Sequence, residues 1–146
     1  ADPQLILAGT YDRGIYRSTN GGASWSHVPL GNDVVWTIVT SPANPAIVYT
    51  GTDGGVFRSD NRGQSWTYVG GLGRTYSLAL DHLDAQVVFA GTSGSGVLIT
   101  TNGGLYWKPL DEGLENRVVQ ALALDYTGCE LIYAGTNDGV WERRLP

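Results

Sequence analysis

An all-β fold of repeated four-stranded antiparallel units is expected from three features of this 146-residue chain. Glycine supplies 21 residues, about twice the ordinary share, and it separates short apolar runs. Those runs are rich in β-branched and aromatic residues and are bounded by Gly, Asn, Asp or Pro, which is strand chemistry. One unit of such runs recurs at a fixed spacing, and no segment sustains a helical apolar period.

Taken in order, the unit has three recognisable parts. The first is an apolar run closing in Gly-Thr, at residues 5–10, 47–52, 87–92 and 131–136. A loop and a second run follow: Gly14-Ile15-Tyr16, Gly55-Val56-Phe57, Gly96-Val97-Leu98 and Gly139-Val140-Trp141. Third comes a polar turn ending in tryptophan, at residues 18–25, 59–66 and 100–107, which places Trp25, Trp66 and Trp107 at intervals of 41. A period of about 40 residues with four short strands is the pattern of β-propeller blades rather than of a helical solenoid. With strands labelled A to D from the propeller axis outward, strand A falls at 34–40, 75–80 and 118–124. Strand B is the Gly-Thr run, strand C runs through Ile15-Tyr16 and its equivalents, and strand D begins at each tryptophan. This predicts fourteen strands, or about three and a half blades, in a single domain over 1–146. The blade units lie at roughly 1–30, 31–72, 73–113 and 114–146.

Charge and composition remove several classes of function. Nine Lys+Arg against fourteen Asp+Glu give a net charge of −5, with neither a basic patch nor a basic stripe for nucleic acid or an anionic membrane. No apolar run reaches the ~18 residues of a membrane helix. No signal peptide is visible, and the absence of an initiator Met points to processing, excision or a boundary within a longer chain. The single Cys129 excludes an internal disulfide framework and supplies no metal cluster, so neither cofactor nor metal is expected. It aligns with Pro3, Pro45 and Ala85 in the A–B hairpin, where a free thiol reads as incidental. Arg143-Arg144 is too small a basic spot to imply a polyanion.

The polar turns carry a more specific likeness. Ser18-Thr19-Asn20-Gly21-Gly22-Ala23-Ser24-Trp25 and Ser59-Asp60-Asn61-Arg62-Gly63-Gln64-Ser65-Trp66 resemble Asp-box (BNR) repeats, whose pattern is Ser-x-Asp-x-Gly-x-Thr-Trp. Thr100-Thr101-Asn102-Gly103-Gly104-Leu105-Tyr106-Trp107 is a looser third copy. The resemblance covers essentially the whole chain and implies a propeller in which each box is the C–D hairpin of a blade. Its members include sialidases, sortilin-type receptors, xyloglucan-degrading glycosidases and photosystem II assembly factors, so it implies a fold far more than an activity. Such company leans toward a secreted or extracytoplasmic setting. The box chemistry also stands by itself. An Asx side chain accepts hydrogen bonds from backbone a residue or two ahead, and glycine two positions later permits positive φ. The tryptophan is expected to bury its ring between sheets with its N–H paired. Ser18, Asn20, Gly22, Trp25, Ser59, Asn61, Gly63, Trp66, Thr100, Asn102, Gly104 and Trp107 therefore read as structural. Asn at every acid position is a weak ligand for a hard cation, so calcium binding there is disfavoured.

Candidate binding residues fall on the opposite face, where the B–C and D–A loops meet. Tyr11-Asp12-Arg13, Asp53, residues 93–95 and Asn137-Asp138 come from B–C loops. Asn32-Asp33, Arg74 and Glu115-Asn116-Arg117 come from D–A loops. Trp36, Tyr76 and Gln120 align near the start of strand A. Loops at one end of a rigid scaffold are the usual place for binding residues. Trp36, Tyr76 and Asp53, with Tyr11 and Arg13 as secondary contacts, can hold a glycan or a peptide by stacking and hydrogen bonding. The competing reading makes the two rings inner-strand packing residues and the acids turn solvators.

Catalysis by this chain is not expected. A glycosidase needs two carboxylates across the scissile bond. Thr52-Asp53-Gly54-Gly55 is similar to a Thr-Asp-x-Gly-Gly stretch near the cleft of the xyloglucanase family, which also places a carboxylate near the start of an inner strand. Here those positions are Trp36, Tyr76 and Gln120. The Arg-Ile-Pro element common in sialidases is absent, His27 and His82 are isolated, and no Ser-His-Asp pattern appears. The reading is a non-catalytic binding or scaffold module. A fragment of a secreted glycoside hydrolase and an excised or engineered blade set are the alternatives. Because the first blade lacks strand A and the last lacks strand D, unpaired edges remain at both ends. Self-association or the remaining blades of a parent propeller is expected to cover them. A symmetric pair of chains would give eight blade positions, and Asp2-Pro3, aligned with Asn44-Pro45, implies a first strand cut away or supplied by a partner.

Overall fold

A computed structural model describes residues 3–31, 34–70, 72–126 and 130–145. Asp2, Asn32, Asp33 and Cys129, singled out above, lie outside the described residues. Among the described residues, fourteen strands form four antiparallel sheets, each in chain order. The first sheet holds β1 (Ile6–Gly9), β2 (Ile15–Ser18) and β3 (Ser26–Val28). The second holds β4 (Val35–Thr40), β5 (Val48–Thr52), β6 (Gly55–Ser59) and β7 (Thr67–Gly70). The third holds β8 (Thr75–Leu80), β9 (Val88–Thr92), β10 (Val97–Thr100) and β11 (Lys108–Pro109). The fourth holds β12 (Val119–Asp125), β13 (Leu131–Thr136) and β14 (Gly139–Arg144). This is a partial β-propeller of two complete blades flanked by two three-stranded ones. The outer strands start one residue after each tryptophan, not at it, because the indole still belongs to the turn.

Alternation along each strand decides which blade a side chain meets. Tyr49 and Val56 of the second sheet pack with Leu78, Leu80, Val88, Ala90 and Leu98 of the third. Phe89, Val97 and Ile99 of the third pack in turn with Val119, Ile132 and Ala134 of the fourth. The glycine of each Gly-Thr pair lets the next inner strand approach. A Cβ on Gly51 would lie 2.7 Å from the Thr75 carbonyl oxygen, and one on Gly91 would lie 2.7 Å from Val119 Cγ1. Gly9 is closed off in the same way by Val35, whereas Gly135 meets only Ala121 of its own sheet, at 3.6 Å.

The three polar hairpins share one hydrogen-bond pattern. Ser18 Oγ accepts from the backbone N–H of Asn20 (3.3 Å) and Gly22 (2.9 Å) and donates to Asn20 Oδ1 (2.9 Å). Asn20 Oδ1 accepts from the Ser24 N–H at 2.9 Å, and Asn20 Nδ2 donates to Ser24 Oγ at 2.8 Å. Ser59, Asn61, Gly63 and Ser65 repeat this set. Thr100, Asn102, Gly104 and Tyr106 repeat it without the amide-to-hydroxyl bond, since Tyr106 replaces the serine. The near backbone donors thus go to the hydroxyl rather than to the Asx side chain, which reaches four residues ahead. Gly22, Gly63 and Gly104 have φ of +92°, +75° and +97°, the region a Cβ disfavours.

The tryptophans divide according to their neighbours. Trp107 donates through Nε1 to the Val69 carbonyl at 2.9 Å, one blade back, and rests on Gly70. Trp66 is partly buried, and its buried Nε1 makes no hydrogen bond. Trp25 is 42% exposed, contrary to the expected burial, because no sheet precedes its own.

Candidate functional site

The site begins with a register irregularity that recurs in three sheets. The β4–β5 pairing skips between Val35 and Thr37, β8–β9 between Thr75 and Ser77, and β12–β13 between Val119 and Ala121. The extra residues are Trp36, Tyr76 and Gln120. A bulge re-aims the side chain it carries, and here the bulges lie at the ends of inner strands next to the B–C turns. The same position in each blade therefore presents its side chain at the loop face, which is why these residues align.

In the first two of these blades the result is a connected cluster. Trp36 Nε1 donates to Asp53 Oδ1 at 2.7 Å, and Arg74 Nε donates to the same oxygen at 2.6 Å. Arg74 Nη2 reaches Asp53 Oδ2 at 3.5 Å, and Nη1 donates to the Tyr76 hydroxyl at 3.4 Å. The Arg74 guanidinium lies 5.6 Å from the Trp36 ring centre and 6.0 Å from that of Tyr76, within cation–π range. Trp36 meets Tyr76 edge to face at 5.2 Å and Tyr11 at 5.9 Å, the favoured arrangement for aromatic pairs. The indole N–H, followed by the Arg74 guanidinium, holds the Asp53 carboxyl below its usual range.

Four of the five expected binding residues are thus brought together: Trp36, Tyr76, Asp53 and Tyr11. Arg13 is not. It is exposed, and its side chain lies 4.0 Å from the neighbouring Asp12, with only its backbone tied in through Thr10 Oγ1 and His27 Nε2. Arg74 is the residue that sequence reasoning placed on this face without selecting. Its position two residues before the aligned Tyr76, in a loop facing Asp53, was the available signal. The last blade makes a polar continuation, with Gln120 bonded to Asn137 at 3.0 Å and Asn116 to Asp138 at 2.8 Å. Rings standing on edge beside a fixed carboxylate–guanidinium pair offer apolar contact and directed hydrogen bonding in one place, the makings of a binding surface.

Comparison with known proteins agrees with this architecture. No protein-family model and no curated protein matches the sequence. Among solved structures, an ancestral GH74 enzyme superposes on 97% of this chain with a TM-score of 0.82 and 25% identity. The computationally designed Ika4 protein covers 98% with a TM-score of 0.75 and 16% identity, the match taking in 86% of that protein. YCF48 bound to a D1 peptide covers 92% with a TM-score of 0.63 and 19% identity, the match taking in 45% of its chain. The chain is a β-propeller module. It spans about a fifth of the GH74 enzyme, 22% of that chain.

Proposed function

We propose that this chain is a non-catalytic binding module of the Asp-box type, which holds a glycan or a peptide on the Trp36–Tyr76 face. The carrying observation is the convergence of Trp36 and Arg74 on one oxygen of Asp53 with Tyr76 and Tyr11 against the same indole. Three blades contribute to that cluster, with Tyr11 from the first sheet, Trp36 and Asp53 from the second, and Arg74 and Tyr76 from the third, so its geometry is fixed by the packing of the propeller and not by a loop alone. The hydroxyl–Asn hairpins support the Asp-box reading through the repeated pattern described above, and their role in it is structural. The exposed faces at the two ends are covered by further blades, from a second copy or from a parent propeller.

A Trp36→Ala, Tyr76→Ala double variant that keeps its far-ultraviolet circular dichroism tests this reading. Glycan arrays and peptide libraries screened with the parent chain should yield a selective ligand that the double variant no longer binds. Unchanged affinity of the double variant would place the site elsewhere.

A second reading has one observation in its favour, the likeness to a GH74 enzyme. In it this chain is a segment of a secreted glycoside hydrolase whose catalytic partner groups lie in other blades. The Trp, Tyr and Gln at the three bulges supply no second carboxylate to Asp53, which favours the binding module. Turnover of a polysaccharide by this chain would reverse that choice.

A further inference from the structure

We propose that Asn20 and Asn102 are latent deamidation sites, which the folded hairpins guard and which mark irreversibly any prolonged opening of those hairpins. Each is followed directly by glycine, whereas the equivalent Asn61 is followed by Arg62. In an open chain the backbone nitrogen after an asparagine attacks the side-chain carbonyl carbon. The Cγ–Nδ2 bond breaks, ammonia leaves with the proton, and a five-membered succinimide remains. Water then opens the ring at either carbonyl, giving Asp from one bond and isoaspartate from the other. A glycine nitrogen attacks most readily, because no Cβ crowds the ring as it closes.

The native boxes block this step at both reacting groups. The attacking nitrogens are engaged, since the Gly21 N–H donates to the Gln4 carbonyl at 2.9 Å and the Gly103 N–H to that of Gln86 at 3.0 Å. The attacked side chains are tied as well. Asn20 Oδ1 accepts from Ser18 Oγ and from the Ser24 N–H, both at 2.9 Å. Asn102 Oδ1 accepts from Thr100 Oγ1 at 2.9 Å and from the Tyr106 N–H at 3.0 Å. Asn61 carries the same bonds, and the Arg62 N–H donates to the Ala46 carbonyl at 2.9 Å. It is therefore a control within the same chain, equal in fold and different only in the residue that follows.

Packing keeps one vulnerable pair in place. A Cβ on Gly103 would collide with the Arg58 guanidinium and the Gln86 side chain, and the backbone there has φ of +71°. The two products differ in consequence. Asp formed at position 102 keeps an acceptor for the Thr100 hydroxyl and the Tyr106 N–H. Isoaspartate there adds a methylene to the main chain between Thr100 and Trp107, so the indole loses its register with the Val69 carbonyl. Chemical change in the open chain then makes unfolding irreversible.

Peptide mapping by mass spectrometry tests this, on the intact chain held at mildly alkaline pH in buffer and in unfolding urea. In urea Asn20 and Asn102 should convert at least about tenfold faster than Asn61. In buffer all three should remain asparagine. Thr100→Val removes the oxygen that receives the Asn102 and Gly104 N–H groups. In that folded variant Asn102 should convert at least about tenfold faster than in the parent, through local opening, while Asn20 does not. Where the variant fails to fold, the buffer and urea rates of the parent decide. Conversion in the folded parent at the rate seen in urea overturns the proposal, and so does conversion in urea no faster than at Asn61. Chains carrying isoaspartate at position 102 should not regain native circular dichroism on dilution from urea, and full recovery overturns the lasting mark.

Discussion

Trp36 and Asp53 are joined by a 2.7 Å hydrogen bond that links the bulge of an inner strand to the turn after its neighbour, 17 residues on. The same carboxylate oxygen receives Arg74 from the next blade. Asp53 is therefore a joint between two blades as well as a member of the candidate site. Damage to the packing between those blades should be visible at the site, and damage to the site should leave the packing intact, since Trp36 and Arg74 are exposed and Asp53 is only partly buried.

The first prediction concerns pH. Asp53 is held below its ordinary value of 3.8, first by the Trp36 N–H and then by Arg74. A carboxyl depressed in the folded state contributes stabilisation above its unfolded pKa and loses it as pH falls through the folded one. Acid titration followed by tryptophan fluorescence should show a step with a midpoint below 3.8. Asp53→Asn should lack that step. An unchanged profile in the variant would assign the step to another group.

Glycine at the blade interface gives the second prediction. Gly51→Ala should destabilise the chain by about 1–3 kcal/mol, because the added methyl meets backbone of the next blade. Gly135→Ala has its nearest neighbour at 3.6 Å and should stay within about 0.5 kcal/mol of the parent. Thermal melts of the two variants separate these outcomes, and equal losses would contradict the packing described.

The hairpins supply the third. Trp66→Ala should cost about 3 kcal/mol through the space it leaves. Asn61→Ala should cost about 1 kcal/mol through loss of the bonds to Ser65 and Ser59. Trp25→Ala, at a ring 42% exposed, should cost less than Trp66→Ala. Denaturant titration that ranks Trp25 above Trp66 would refute this account of the tryptophans.

The two end faces give the fourth. Ile15, Val56 and Val97 are fully buried, yet their equivalent Val140 is 75% exposed. Val48, Val88 and Ile132 are buried, yet their equivalent Ile6 is 38% exposed. Light scattering should show a mass above the 15.6 kDa of one chain, and Val140→Lys should return it to one chain with the fold retained. A one-chain mass for the parent at every concentration would reject self-association.

Much of this molecule was legible in the order of its residues. Short apolar runs, fixed intervals between tryptophans and glycines at defined steps determined the fourteen strands, their grouping into sheets and the face that collects the loops. Those features are local or periodic, and a repeat converts local pattern into architecture, since each unit buries its apolar surface only by stacking on the next. Trp36, Tyr76 and Asp53 could be placed on one face by counting strands. Tertiary structure alone decided the rest. The bulges that aim Trp36 and Tyr76 arise from pairing register, and residue type does not encode them. Arg74 enters the cluster and Arg13 leaves it because one loop turns toward Asp53 of the preceding blade while the other pairs with its own neighbour. Trp25 and Val140 carry the same chemistry as their buried equivalents and stand exposed, because burial belongs to the neighbouring blade and not to the residue.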